Sequence, residues 1–587
     1  MYATQKFTKW VLSLCLVCCS SFAIMAQEEE DGLGTEVVNI VKPYTPTISD
    51  AFKVKETPTL NDSITTTKKE VDYSIFSVPV ASTFTPSKGR AETVEKAQPI
   101  KLYDNYATLG FGNFTTILGE LYSNFQISRT DNAGFYFKHN SSQGGIDGIL
   151  LENKFYDTSL DGDYTSRQRD LSYGVNAGVE HQIFHWYGLN DLFFTDTTEF
   201  FRTIDPKQTY FSAYVGGNLA LKESVFEGGK ANLRFTADGF SSSEVNFTAQ
   251  PEVLLPLSKF NLKITGSLDY LNGKFERDYF NLGAPVEYGF LNAGVTPALV
   301  YVDEDLTLSL GAAVVLGVDT QASDTNFYIY PQVNGSYRLV DELLIAYGGL
   351  EGGLHQNTYF DLKTGNPFVS PTLQIMPTSQ VYNVFGGLKG KLSNSVGYNV
   401  RASYGKEDDK ALYQINPYKG RLPDLEGYEH GNSFGIVYDD INTLELFGEL
   451  KVEVNDAFSL GVNASILSYN TTNQPQPWNL PEFTLSAFSN FNITEKIYGG
   501  AALFYVGERT DLFGATQIGL PTVPVNVEVT LDSYVDANVH LGYRVSDRLS
   551  IFAKGSNLLN NSYEKWLFTP VQGIQGLLGG TYKFDWQ

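Results

Sequence analysis

The chain has 587 residues, with 42 Lys+Arg against 66 Asp+Glu and a formal net charge of −24. So acidic a chain excludes a nucleic-acid partner, because phosphate binding needs a basic footprint. All three cysteines, Cys15, Cys18 and Cys19, fall within the first 26 residues. The remainder therefore has no disulfide, no Cys-ligated metal and no thiol nucleophile.

Lys6 and Lys9 precede an apolar run over 11–25, and Ala26 supplies a small residue before Gln27. This is the pattern of a secretory signal peptide over residues 1–26. Its removal takes two lysines and no acids, leaving a net charge of about −26. Residues 27–102 open on Glu28-Glu29-Glu30-Asp31 and continue through Thr, Pro and Lys, as in Lys42-Pro43-Tyr44-Thr45-Pro46-Thr47. They lack sustained alternation and read as an extended, partly disordered periplasmic segment.

From Tyr103 to the C-terminus the pattern changes to period two. In 535–545 one face carries Val535, Ala537, Val539, Leu541, Tyr543 and Val545, and the other Asp536, Asn538, His540, Gly542 and Arg544. Successive strand residues point to opposite faces, so this is one apolar and one wet surface. Its eleven residues match what a tilted strand needs to cross a bilayer, about twice the usual soluble strand. Residues 260–270, 396–404 and 444–454 repeat it. Aromatics reach 14% while charged residues are only 18%. Beyond the leader no apolar run approaches the ~20 residues of a membrane helix. The expected class is all-β: a transmembrane antiparallel β-barrel over 103–587, since only closure satisfies every backbone group in hydrocarbon.

Short polar breaks at 257–259, 303–305, 340–342, 393–395, 455–456, 494–496 and 546–548 read as tight turns. Three more are expected near Asp131-Asn132, His185 and Gly228-Gly229. Ten such turns join about 22 strands, with 16–22 allowed by the less regular region before Ser224. The intervening connections, such as 356–380, 405–433 and 510–531, are longer. Short turns on one side and long loops on the other are the asymmetry of outer-membrane barrels.

The polar faces supply the lumen-lining candidates Lys263, Arg401, Glu445, Glu449, Lys451, Glu453, His540 and Arg544. Glu445, Glu449 and Glu453 share one strand face. They form either a charged pore wall or a wet interior in which Lys451, Arg401, Arg544 or Lys263 pairs with them. His181 and His185 have the i, i+4 spacing that zinc proteases use on a helix, but Gln182 stands where a Glu is needed. On a strand such rings lie roughly 13 Å apart and share no metal. Asp157, Asp161 and Asp163 read as a solvated loop without EF-hand spacing. No catalytic residue, metal or cofactor site is expected, and no enzyme activity.

Tyr582, Phe584 and Trp586 alternate at the C-terminus, similar to the recognition signal of outer-membrane barrels, with Gln587 after the last aromatic. Before them stand Asn557-Leu558-Leu559-Asn560-Asn561-Ser562-Tyr563, Pro570-Val571-Gln572-Gly573-Ile574 and Gly579-Gly580-Thr581-Tyr582-Lys583-Phe584. This order resembles the end of TonB-dependent receptor barrels, with Ile574 in place of the usual Arg. The resemblance implies a receptor-like barrel lacking a normal plug domain, since only 76 residues separate the signal peptide from Tyr103. Thr35, Glu36, Val37 and Val38 resemble the start of a TonB box, which pairs as a strand with the energy transducer. An ordinary β-prone patch in a linker is the alternative. The resemblance further implies a cell-outer-membrane protein that passes or takes up a solute. Its partners would be outer-membrane lipid and a TonB-type transducer or other outer-membrane proteins. The alternative function is a non-transporting structural or interaction subunit of an outer-membrane complex. No loop motif names a solute.

Overall fold

The computed structural model describes residues 101–586 except 191–193, 195–202, 282–283, 421–423, 456 and 516–524. The expected signal peptide, nearly all of the expected N-terminal segment and the TonB-box-like residues lie outside the described residues.

Twenty-two antiparallel strands form one sheet that closes on itself. The first strand, Asn105–Gly112, pairs with the last, Gln575–Phe584, in register from Asn105 opposite Phe584 to Gly112 opposite Leu577. Closure leaves no free edge. No described helix is long and apolar enough to cross a membrane. The alternation resolves into two surfaces. On Phe434–Asn455, Leu444, Leu446, Leu450 and Val454 are exposed, and Val400 and Tyr404 are exposed on the paired strand Val396–Ile415. Exposed aliphatics recur around the sheet, among them Val175, Val215, Leu233, Val295 and Leu310. So continuous an apolar belt is unfavourable in water and matched by hydrocarbon.

The inner face often sets an aromatic ring against a glycine on the next strand. A β-carbon would lie 2.3 Å from the Phe488 ring at Gly461, 2.2 Å from Tyr498 at Gly542 and 2.4 Å from Phe552 at Gly579. Each ring covers a site where only glycine fits, a device that pins register in curved sheets.

Ten short connections lie at one end. Seven are those read from the sequence. Three early ones differ. The first lies at 127–130, just before Asp131-Asn132. The second is at 168–170, not His185, which ends Leu171–His185 at the opposite, long-loop end. The third is at 222–225. Gly228 instead forms a bulge within Phe226–Asp238, at φ +140°, where the register shifts. A bulge uses the same glycine freedom as a turn, so sequence alone does not separate them. Asp157, Asp161 and Asp163, expected in a loop, stand on the strand Phe155–Arg167. Their even spacing keeps all three on one face, opposite Leu160, which is exposed. The connection expected over 405–433 is shorter, because its first strand continues to Ile415.

Strand length varies around the barrel. Asn105–Gly112 and Leu549–Ser556 have 8 residues each, Val396–Ile415 has 20 and Phe434–Asn455 has 22.

Candidate functional site: a loop-built mouth

The buried core of this barrel sits at the long-loop end. One cluster joins Leu151, Leu189, Ile204, Val369, Leu373, Tyr418, Phe513 and Trp566 from six separate connections to Tyr210, Phe275, Tyr288 and Phe434 from strand ends. Trp186, Tyr428 and Tyr279 form a second cluster. Polar contacts tie the same loops. Trp186 Nε1 donates to the Phe368 carbonyl at 3.0 Å, and Asn432 Nδ2 to the Trp186 carbonyl at 2.7 Å. Tyr187 donates to the Pro570 carbonyl at 3.0 Å and Tyr279 to that of Pro417 at 2.9 Å. These partners are far apart in sequence, so the loops converge on one another rather than splaying outward.

The deepest element is the 356–377 loop. It carries the helix Tyr359–Gly365, whose cap residue Thr358 accepts from the Asp361 N–H at 3.0 Å and donates to the Asp361 carboxylate at 2.7 Å. This reciprocal cap holds a helix of 7 residues, too short to persist alone. Tertiary contacts supply the rest. Glu244 on Ser243–Leu257 accepts from the Tyr359 N–H at 2.6 Å, the Phe360 N–H at 3.2 Å and the Tyr288 hydroxyl at 2.9 Å. Asp238 accepts from the Tyr359 hydroxyl at 2.6 Å. Lys363, whose side chain is 1% exposed, donates to Gln182 at 2.7 Å and lies 3.5 Å from Glu180. Arg234 covers the Phe360 ring at 3.7 Å. From the other side Tyr413 donates to the Leu362 carbonyl at 2.9 Å. The loop leaves one wall and docks on another, so it spans the inner space as a strap.

Burial sets the charge states here. It pushes the Lys363 ammonium below the usual lysine range, an effect Glu180 opposes. It raises Asp511, on the hairpin Arg509–Ala515/Val525–Leu531, to about 6, against hydrogen bonds from Asn479 and the Ile415 and Leu512 amides. It lowers His430 to about 4. Among the described residues no group of His, Asp and Glu is arranged to hold a metal ion.

A 22-strand closed barrel whose long loops gather at one mouth has counterparts among solved structures. The FrpB iron transporter from Neisseria meningitidis superposes with a TM-score of 0.61 at 11% identity, covering 82% of each chain. The ferric-catecholate import receptor Fiu from E. coli K12 gives 0.59 at 11% identity, also over 82% of each chain. The copper transporter OprC gives 0.57 at 13% identity, over 83% of this chain and 81% of that one. The likeness is one of fold, a closed antiparallel barrel of 22 strands. No protein-family model and no curated protein sequence matches the chain.

Within this barrel the charged residues singled out from the sequence, with His540, occupy the face opposite the exposed aliphatics, but they are not one cluster. Arg401 donates to Glu445 at 2.8 Å, and Glu445 also accepts from Ser403 at 3.3 Å and Ser465 at 3.0 Å. Lys451 pairs with Glu449 at 3.0 Å. Glu453 lies at the turn end of the same strand, where its N–H donates to the Ser395 carbonyl at 2.7 Å. The other two cations offered as partners are elsewhere: Lys263 meets Glu252 at 3.0 Å, and Arg544 donates to the Glu495 carbonyl at 2.6 Å. His540 faces Gly500 and Lys554 across its two neighbouring strands. His181 and His185 stand on one strand, and His185 Nδ1 is 2.6 Å from the Lys154 carbonyl oxygen. Tyr582 and Trp586 are exposed on the outer face, and Trp586 donates to Ser123 at 2.6 Å. Sequence reading missed the strap. Its one local signal is Thr358-x-x-Asp361 opening a short helix, and nothing local says where that helix docks.

Proposed function

We propose that this protein passes a solute across the outer membrane through its barrel, and that the 356–377 strap must leave its dock for passage to occur. The single observation carrying this reading is that the strap crosses the inner space, joined to the wall by hydrogen bonds with Glu244, Asp238 and Gln182 and to the loop core by Leu362, Val369, Leu373 and Ile375. Lys263, Arg401, Glu445, Glu449, Lys451, Glu453, His540 and Arg544 then line the lumen. The aromatic residues Tyr582, Phe584 and Trp586 serve as the assembly signal. The segment over 27–102 is periplasmic, and Thr35, Glu36, Val37 and Val38 engage a TonB-type transducer. The superposed proteins are described as an iron transporter, a ferric-catecholate import receptor and a copper transporter. That likeness supports transport here without naming this solute. Single-channel recording tests the reading. Replacing 359–373 by a Gly-Ser linker raises conductance, and an unchanged conductance rejects it.

A second reading, a non-transporting subunit of an outer-membrane complex, draws on the apolar cap, which closes the mouth with Trp186, Tyr428 and Trp566 buried. A stoichiometric protein partner that co-purifies from solubilised envelopes, with no conductance change in the linker variant, favours it.

A further inference from the structure

The strap's dock has its own chemistry. The inner wall from Phe155–Arg167 to Ser243–Leu257 presents Asp157, Asp161, Glu180, Asp238 and Glu244 toward the inside. On that stretch of wall Arg234 is drawn to the aromatic faces of Phe360 and Tyr214, and Lys138, on the adjoining strand Asp131–Ser142, lies 3.6 Å from Asp157. Lys363, brought in by the strap, lies against Glu180 and Gln182 and over the Tyr210 and Phe360 rings at 5.5 and 4.7 Å. Tyr359 adds a ring, edge-on to Phe275 at 5.0 Å and Tyr210 at 6.0 Å, and a hydroxyl for Asp238. The strap thus offers the wall one cation, the two aromatic rings of Tyr359 and Phe360, and several N–H and O–H donors.

We propose that the strap is an autoinhibitory segment whose Lys363 occupies a cation subsite of the wall, and that the solute which displaces it is cationic and rich in N–H donors, as a lysine-bearing peptide is. The physical reason is charge. Displacing the strap takes Lys363 from Glu180 and the Tyr359 and Phe360 donors from Asp238 and Glu244. A partner removed from a buried pair costs far more than the pair itself contributes. An anionic or purely apolar solute cannot satisfy these carboxylates. A cationic one exchanges like for like, and only differential affinity of this kind shifts a two-state equilibrium.

This inference rests on the transport reading for its purpose, but its test does not. The described barrel holds no cysteine, so a single Val369→Cys reporter, at a strap position with no solvent exposure, reads strap release through alkylation by a water-soluble maleimide. The reporter protein, with Cys15, Cys18 and Cys19 replaced by Ser, is mixed in detergent with trilysine or triglutamate. Trilysine accelerates labelling at least about tenfold and triglutamate does not. Lys363→Gln labels quickly without peptide, while Lys363→Arg, which keeps the charge, labels as slowly as the parent. Equal rates with the two peptides overturn the proposal, as does slow labelling of Lys363→Gln. Release by trilysine together with unchanged conductance of the linker variant keeps this inference and rejects transport. Raised conductance with no peptide effect does the reverse.

Discussion

Two walls of the same barrel differ in how their inner faces are satisfied. On the tall wall formed by Val396–Ile415 and Phe434–Asn455, Arg401, Glu445, Glu449 and Lys451 pair locally and stay partly exposed, their side chains 21–59% accessible. On the wall from Leu171–His185 to Ser243–Leu257, the polar groups are covered by a loop from elsewhere in the chain, and Lys363 and Glu244 are almost fully buried. The first wall is a water-filled surface, where ion pairs contribute little because solvent competes. The second is a protein–protein interface within one chain, where each lost partner leaves a desolvated group.

The largest break in this contrast is expected in the cap that backs the strap. Trp186→Ala removes a side chain with no exposure and costs the loop assembly about 3–5 kcal/mol. Hydrogen exchange in 356–377 and 416–433 rises sharply while the barrel strands keep their protection. Next comes Glu244→Ala, which strands the Tyr359 and Phe360 amides and the Tyr288 hydroxyl. It costs strap docking about 3 kcal/mol, read as protease cleavage within 359–373 at concentrations that spare the parent.

The pH response is smaller and splits in sign. Asp511 has its folded pKa raised from 3.8 to about 6. Its contribution is full below pH ~4 and is lost as pH rises through about 6. His430 has its folded pKa lowered from 6.5 to about 4, so its contribution is full above pH ~6.5 and is lost as pH falls through about 4. Each effect is on the order of 1–3 kcal/mol. Between these limits the two oppose one another. Asp511→Asn therefore makes cap stability rise more steeply with pH, and His430→Gln makes it fall, as measured by exchange in 416–433 from pH 4 to 7. The same sign for both variants refutes the assignment. The smallest effect belongs to the open wall: Arg401→Ala changes unfolding stability by less than about 1 kcal/mol in urea titration. A loss as large as that of Glu244→Ala abolishes the distinction between the walls.

The strands and most turns were legible because each needs only local information. Period-two alternation marks Tyr534–Arg544, and Asp303-Glu304-Asp305 interrupts it with residues no bilayer-facing strand tolerates. The early region was harder. Gly228 serves a bulge and His185 a strand end, and both residues also suit turns. The face on which each polar residue stands follows from parity alone. Arg401 and Glu445 sit diagonally across one paired ladder, and so do Lys263 and Glu252, but the charges of Ser243–Leu257 drew no notice in the sequence.

The sequence by itself determined a closed antiparallel barrel of about 22 strands, with turns at one end and loops at the other. Hydrophobic parity and backbone satisfaction in hydrocarbon leave no other solution. Only the tertiary structure decided what those loops do. Whether 356–377 stands in solvent or lies across the barrel depends on Glu244, Asp238 and Gln182, which meet it from positions more than a hundred residues away. No local pattern encodes such a meeting, because it is a sum of distant desolvation and hydrogen-bond terms that exist only once the barrel has closed.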